Sequence, residues 1–228
     1  MLDTRDFASA RKAMVERQLL GRGIRDGRVL AAMGEVPRER FVEDGFAGFA
    51  YDDRPLPAGD SQTISQPYIV ALMLEAAEVG PSDRVLEIGA GSGYAAAVIA
   101  RLAKHLVAIE RLPGLAEQAG RRLQRLGCDN VEVHCADGTQ GWPKAAPYDA
   151  IIVSAGAPDI PQALQQQLVI GGRLVIPAGA SAHYQLLLKL RRSEEDRFER
   201  EDLGAVSFVP LIGRQGWPST SPSQTEEA

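Results

Sequence analysis

Cysteine is scarce in this chain. Two are found in 228 residues, Cys128 and Cys135, seven positions apart and with no Cys-x-x-Cys partner. That spacing offers neither a zinc site nor a disulfide framework. Long hydrophobic runs are missing too: the longest purely apolar stretches, such as residues 95–100, are far too short to span a bilayer, so no membrane partner is expected. The opening Met1-Leu2-Asp3-Thr4-Arg5-Asp6 is charged and lacks the apolar centre of a signal peptide. Positive charge is in deficit, with 25 Lys and Arg against 30 Asp and Glu, a formal net charge of −5 and no basic block. This balance argues against a nucleic-acid backbone as partner. His105 and His183 have no companions at metal-ligand spacing and are expected to be ordinary polar residues at strand ends; no metal is expected. A cytoplasmic protein follows.

What is present is enough for one globular domain of moderate size with a full core: 45% of the residues are hydrophobic and 24% charged. The most informative stretch is Arg84-Val85-Leu86-Glu87-Ile88-Gly89-Ala90-Gly91-Ser92-Gly93-Tyr94. Its apolar residues suit a parallel strand covered on both faces. The alternating glycines then allow a sharp turn and close approach of a ligand to the backbone. An apolar helical pattern follows, whose first free N–H groups would point at that ligand.

The ligand is narrowed by what the turn is not. Counted from Gly89, the last position of Gly-x-Gly-x-x-Gly is Tyr94, so the dinucleotide fingerprint fails, and no Gly-Lys-Ser/Thr marks a phosphate loop. Glu87, Gly89, Gly91 and Gly93 instead spell Glu-x-Gly-x-Gly-x-Gly, the pattern of methyltransferases that use S-adenosylmethionine; Ser92 belongs to the same turn. A second strand, His105-Leu106-Val107-Ala108-Ile109, ends in Glu110, 17 residues past Gly93. A carboxylate there can accept from both hydroxyls of a phosphate-free ribose. A third strand, Val131-Glu132-Val133-His134-Cys135, runs into Asp137-Gly138, where the acid could accept from an adenine amine.

Along the chain, residues 7–20 read as a helix closed by Gly21-Arg22-Gly23, and Asp26 as the cap of a second helix through Met33. Residues 46–66 have no sustained period and read as a long irregular lid or binding loop. Helical spacing resumes over residues 67–79. From Arg84 strands and helices alternate, with a fourth strand over 148–153 and a short helix over 161–168. Strands over 174–177 and 184–190, a charged turn over 191–201 and a last strand over 205–211 complete the pattern. The expected fold is a doubly wound, mostly parallel α/β sheet of the Rossmann-like methyltransferase type with an N-terminal helical and loop extension. Residues 1–80 would form that extension, 81–213 the cofactor-binding core, and 214–228 a tail expected to be disordered from position 219.

Several methyl acceptors are excluded. Neither cysteine stands beside proline as a nucleophile for ring-carbon methylation. After the fourth strand, Ser154-Ala155-Gly156-Ala157-Pro158 lacks the Asn/Asp-Pro-Pro-aromatic arrangement that grips a flipped base. Asp149 sits at the start of that strand, whereas metal-dependent catechol-type enzymes need an acid at its end. What remains is an acceptor that needs little activation, and a carboxylate fits: it is ionised at neutral pH and needs no general base.

Thr63-Ile64-Ser65-Gln66-Pro67-Tyr68, with residues 85–94, 148–158 and Phe208-Val209-Pro210-Leu211, resembles the protein-L-isoaspartate (D-aspartate) O-methyltransferases. Val36-Pro37-Arg38-Glu39-Arg40-Phe41-Val42 also agrees with bacterial members of that family. Tyr68 stands where animal members have histidine, and Thr139 where some bacterial members have tryptophan. The resemblance implies methylation, with S-adenosylmethionine as donor and S-adenosylhomocysteine as product, of the α-carboxylate freed in isoaspartyl-containing proteins and peptides. The ester would then close to a succinimide. It also implies that Ser65 is the active-site residue, with Thr63 and Ile64 beside it, and that Val209, Pro210 and Leu211 wall the peptide cleft. The residues alone leave two alternatives open. Ser65 could be the N-cap of the following helix, and Val209-Pro210-Leu211 simply a strand ending at proline. Two rival functions also stand: a methyltransferase acting on another carboxylate, in a peptide natural product or small acid, and a non-catalytic scaffold.

Overall fold

The computed structural model describes residues 6–59, 62–181 and 184–219. The N-terminal part begins with α1 (Phe7–Ala13), which loosens into wider turns over Met14–Leu19 and stops at Gly23, whose φ of +102° few other residues tolerate. Asp26 caps α2 (Gly27–Glu35) by accepting from the Arg28 N–H, and Pro37 follows its end. The stretch read as irregular holds an antiparallel hairpin, β1 (Leu56–Gly59) and β2 (Gln62–Ile64). Two short strands of mixed composition carry too little alternation to announce themselves. α3 (Pro67–Ala76) comes next, opened by proline at its first turn.

The second part carries β3 (Arg84–Ile88), α4 (Tyr94–Ile99), β4 (His105–Glu110), α5 (Pro113–Arg125) and β5 (Val131–Cys135). β6 (Tyr148–Val153), α6 (Gln162–Gln166), β7 (Leu168–Ser181), β8 (Tyr184–Glu194) and β9 (Arg197–Val206) complete it. One seven-stranded sheet results, in the order β5-β4-β3-β6-β7-β8-β9. β3 through β7 pair in parallel and β8 and β9 add antiparallel. The central strands are apolar at nearly every position because both faces are covered: Val85, Leu86, Leu106, Val107, Ile151 and Val153 are all fully buried. One hydrophobic cluster runs from Met14 and Met33 through Leu74 to Val85 and Leu106, so the N-terminal helices share a core with one face of the sheet.

The last strands depart from the sequence reading. Residues 191–201 were expected to form a charged turn, yet only Glu195 and Asp196 turn, and β8 and β9 pair across them. The charges belong to a solvated edge strand. Arg197, Glu199, Arg200, Glu201 and Asp202 are exposed along β9, an arrangement that discourages pairing with another chain. The final strand accordingly ends at Val206; residues 209–211 form no strand, but an isolated bridge of Pro210 with Gly156 holds them and the Leu211 side chain is buried in the core. Of the tail, residues 214–217 lie on the core: Arg214 N–H donates to Asp137 Oδ2 at 2.9 Å and the Trp217 indole N–H to the Gly156 carbonyl at 3.0 Å. Residues 220–228, and His183, lie outside the described residues.

Arg173 of β7 fastens the end of α3 to the sheet. Its Nε donates to the Ala77 carbonyl at 2.8 Å, and its Nη2 to the Glu78 carbonyl and to Asp83 Oδ2, both at 2.7 Å. Glu78 pairs outside with Lys189 and Arg191, with its side chain 47% exposed. Arg173→Ala strands a largely buried carboxylate and should cost about 3 kcal/mol in urea denaturation. Glu78→Gln should cost no more than about 1 kcal/mol. Equal costs would remove Arg173 from this role.

Candidate active site

β3 and β6 are neighbours whose outgoing chains leave in opposite directions across the sheet, and the gap at their carboxyl ends is where such sheets take ligands. The glycine turn fills this gap. Gly89, Gly91 and Gly93 have φ of +87°, +52° and +89°, a left-handed path that side chains would strain. Glu110, at the tip of β4 and only 7% exposed, holds the turn in place. Its Oε2 accepts from the Gly91 N–H and its Oε1 from the Leu112 N–H, each at 2.9 Å. Each oxygen retains a second lone pair.

Glu110, Gly89, Gly91 and Gly138 line one side of a cavity of about 270 Å³, with Val209, Pro210, Leu211 and Ile212 on the other. Gly138 is a close approach: a Cβ there would lie 2.4 Å from Ile88 Cγ2. Asp137 stands behind this wall. Its Oδ1 accepts from the Thr139 N–H at 2.9 Å and hydroxyl at 2.7 Å, capping a short 3-10 turn, while Oδ2 holds Arg214.

Glu87 lies within the sheet and is fully buried, and neither carboxylate oxygen has a hydrogen-bond partner. Burial first, and the nearby Glu110 charge second, push its pKa up to about 8. It lines a narrow inner cavity of about 40 Å³ together with Gly89, Gly91, Ser92 and Ser65. An orphaned buried acid facing a cavity is suited to receive a cationic ligand group. The ammonium of S-adenosylmethionine fits that requirement, and Glu110 suits its ribose. Gly93 shapes the turn without lining these cavities.

On the other side, a cleft of about 300 Å³ is walled by Thr63, Ser65, Gln66 and Ile69 against Ala205–Val209. Ser65 follows the hairpin and precedes α3, but it does not cap that helix: the N-cap is Gln66, without a side-chain bond. Ser65 borders both this cleft and the inner cavity, and Ile64 the inner cavity alone. Thr63 and Ser154 border all three spaces. Sequence reasoning passed over Ser154, although its place directly after β6, at the strand-order reversal, was a usable signal. Val209 divides the cleft from the Glu110 cavity, whereas Pro210 and Leu211 face the latter only. Backbone bonds fix this partition, from Gly156 N–H to the Val209 carbonyl and from Leu211 N–H to the Gly156 carbonyl, both at 2.8 Å. Gln185, buried in β8, accepts from the Phe208 N–H at 2.8 Å.

This sheet, with an acid-lined glycine turn at its switch point, defines the class of S-adenosylmethionine-dependent, Rossmann-like methyltransferases. The family model described as protein-L-isoaspartate(D-aspartate) O-methyltransferase (PCMT) matches residues 9–216, and the chain belongs to that family. It is 58% identical over 207 residues to protein-L-isoaspartate O-methyltransferase 2 of Pelobacter propionicus, covering 91% of this chain and 92% of the relative. Against the protein-L-isoaspartate O-methyltransferase of Brucella anthropi it is 55% identical over 214 residues, 94% of this chain and 98% of the relative. A solved protein-L-isoaspartate O-methyltransferase superposes with a TM-score of 0.83 at 30% identity, covering 90% of this chain and 67% of that one. A Plasmodium falciparum structure described as a β-aspartate methyltransferase, in complex with S-adenosyl-L-homocysteine, gives 0.77 at 26% identity, covering 89% and 98%. Among the described residues no group of three or more His, Cys, Asp or Glu could hold a metal, and no helix is long and apolar enough to cross a membrane.

The Glu87 environment generates a pH dependence. The folded protein keeps the Glu87 proton up to about pH 8, whereas the unfolded chain releases it near the ordinary 4.5. The stability this contributes is fully present below that ordinary value and is lost as pH rises through about 8. Ligand-free Glu87→Gln should therefore gain on the wild type between pH 5 and pH 8 in thermal midpoint. A constant difference across that interval would mean the acid is not held protonated.

Proposed function

We propose that the chain transfers a methyl group from S-adenosylmethionine to the free α-carboxylate of L-isoaspartyl, and D-aspartyl, residues in damaged proteins and peptides. The observation that supports this most is the meeting of an acid-lined nucleotide cavity with an uncharged cleft at Thr63, Ser65 and Ser154. Family membership supplies the substrate class.

S-adenosylmethionine contributes a methyl group on a sulfonium centre and leaves as S-adenosylhomocysteine. Glu110 accepts from the ribose hydroxyls with its remaining lone pairs while keeping the glycine turn closed. Glu87 would release its proton to water and hold the ammonium in its place. Asp137, behind the wall rather than in it, would act on the adenine side by fixing the turn that presents Gly138 to the cavity and by holding Arg214. The Ser65 hydroxyl donates to one oxygen of the acceptor carboxylate, leaving the other to form the new O–C bond as the C–S bond breaks. No base is needed, because the nucleophile is already ionised. The residues supply position and exclusion of water. Thr63 and Val209 flank the acceptor peptide, Ile64 lies behind Thr63 on the inner cavity, and Pro210 and Leu211 close the partition from the nucleotide side. The backbone amide nitrogen of the following residue then attacks the ester carbonyl, methanol leaves, and hydrolysis of the resulting succinimide returns part of it to normal aspartate.

With labelled S-adenosylmethionine, an isoaspartyl peptide should be methylated and its ordinary aspartyl twin left essentially unlabelled. Equal labelling, or labelling of a small acid alone, would favour a methyltransferase for another carboxylate. Ser65→Ala should slow methylation while leaving cofactor affinity unchanged. Because Ser65 caps no helix, its thermal midpoint should correspond to a stability change within about 0.5 kcal/mol. Glu110→Ala should weaken cofactor binding by about 1.5–3 kcal/mol in calorimetry. Unchanged affinity would take Glu110 out of the ribose site.

A further inference from the structure

Arg38 is the one cation that is fully buried among the described residues, at 0% exposure. It stands in the turn after Pro37, where Nε donates to the Ala50 carbonyl at 2.7 Å and Nη2 to the Ser65 carbonyl at 2.8 Å. The guanidinium lies 4.7 Å from the ring centroid of Tyr94, itself a wall of the inner cavity. Nη1 is buried with no partner. Other arginines meet acids, as Arg11 meets Glu39, Arg22 Asp53 and Arg173 Asp83; Arg38 has no carboxylate at ion-pair distance.

A guanidinium does not shed its proton, so burial without a counter-ion is a standing cost that an apolar side chain would avoid. The acceptor cleft next to it is walled by serine, threonine, glutamine and apolar residues, with no charged side chain. An anionic acceptor entering there finds no cation in the lining. The cation stands directly behind Ser65, the residue shared by cleft and inner cavity.

We propose that Arg38 is a positioning residue for the acceptor: it pins Ser65 through the carbonyl and supplies from behind the positive potential that draws a carboxylate into the uncharged cleft. This rests on the carboxyl-methylation reading above. The acceptor loses its negative charge as the O–C bond forms, so the field acts more on the bound carboxylate than on the transition state. Its removal should raise KM for the peptide more than it lowers kcat. The donor is itself cationic, so its affinity should not fall when the positive charge of Arg38 is removed.

The experiment uses the full chain and an isoaspartyl peptide, with the same peptide bearing an α-carboxamide as a neutral competitor. Wild type is assayed first; no methylation would defeat the carboxyl-methylation reading before Arg38 is tested. In R38M the preference for acid over amide, KM against inhibition constant, should drop by about tenfold or more, the worth of a unit charge several ångströms away in a protein site. S-adenosylmethionine affinity should be retained. R38K keeps the charge and should keep the preference. A structural role would weaken acid and amide equally, and that result overturns the proposal. So does an unchanged preference in R38M, or a loss in R38K equal to that in R38M. Should R38M not fold, R38Q replaces it, keeping a donor without the charge. Failure of both neutral variants to fold assigns Arg38 to folding alone and overturns the proposal.

Discussion

Two backbone N–H groups shared by one carboxylate hold the ligand end of this molecule together. Glu110 joins the Gly91 N–H, in the turn after β3, to the Leu112 N–H, at the threshold of α5. Neither amide belongs to a regular element, and both would otherwise need a partner at a nearly buried point. The arrangement fixes where the glycine turn lies relative to the next strand, and hence the floor of the nucleotide cavity. A charge-assisted bond is stronger than a neutral one, so the turn is closed before any ligand arrives. The site depends on this preorganisation.

Around that floor the chain distributes charge unevenly. Glu87 is an acid without a partner on one side, Arg38 a cation without a counter-ion on another, and the cleft between Ser65 and Val209 carries no charge. The buried acid faces the inner cavity offered to the cationic donor, and the buried cation stands behind the residue that borders the cleft offered to the carboxylate acceptor. The partition at Val209 is set by main-chain bonds to Gly156 and by Gln185, and the same segment continues to Trp217 and Asp137. Cofactor side and acceptor side therefore share one wall.

Much of this was legible in the sequence because parallel, doubly covered strands leave near-continuous apolar runs. Val85 to Ile88, Leu106 to Ile109 and Ala150 to Val153 read correctly, and with them the positions of Glu87, Glu110 and the glycines. Legibility fails where structure is made by pairing rather than by local pattern. β9 is charged because it is a solvated edge, so it reads as a turn. The β1–β2 hairpin is too short to show alternation. Ser65 reads as an active-site residue by resemblance but also as a helix cap from the residues alone, until the structure gives the cap position to Gln66. Asp137 reads as a ligand acid; it also caps the turn at Thr139, two residues on, and its hold on Arg214 depends on a segment 77 residues away, which no local pattern announces. The role of Arg38 rests on its burial, which its segment does not announce, and that of Ser154 on a junction of cavities signalled only by its place directly after β6.

The proposed methyl transfer takes place where the inner cavity and the acceptor cleft meet, at Thr63, Ser65 and Ser154. A crystal structure with S-adenosylhomocysteine and an isoaspartyl peptide tests this most directly. It should place the ribose on Glu110, the ammonium towards Glu87, and the α-carboxylate within hydrogen-bond reach of the Ser65 hydroxyl. A peptide carboxylate seated away from Ser65, or a nucleoside bound outside the cavity between Glu110 and Leu211, would contradict it.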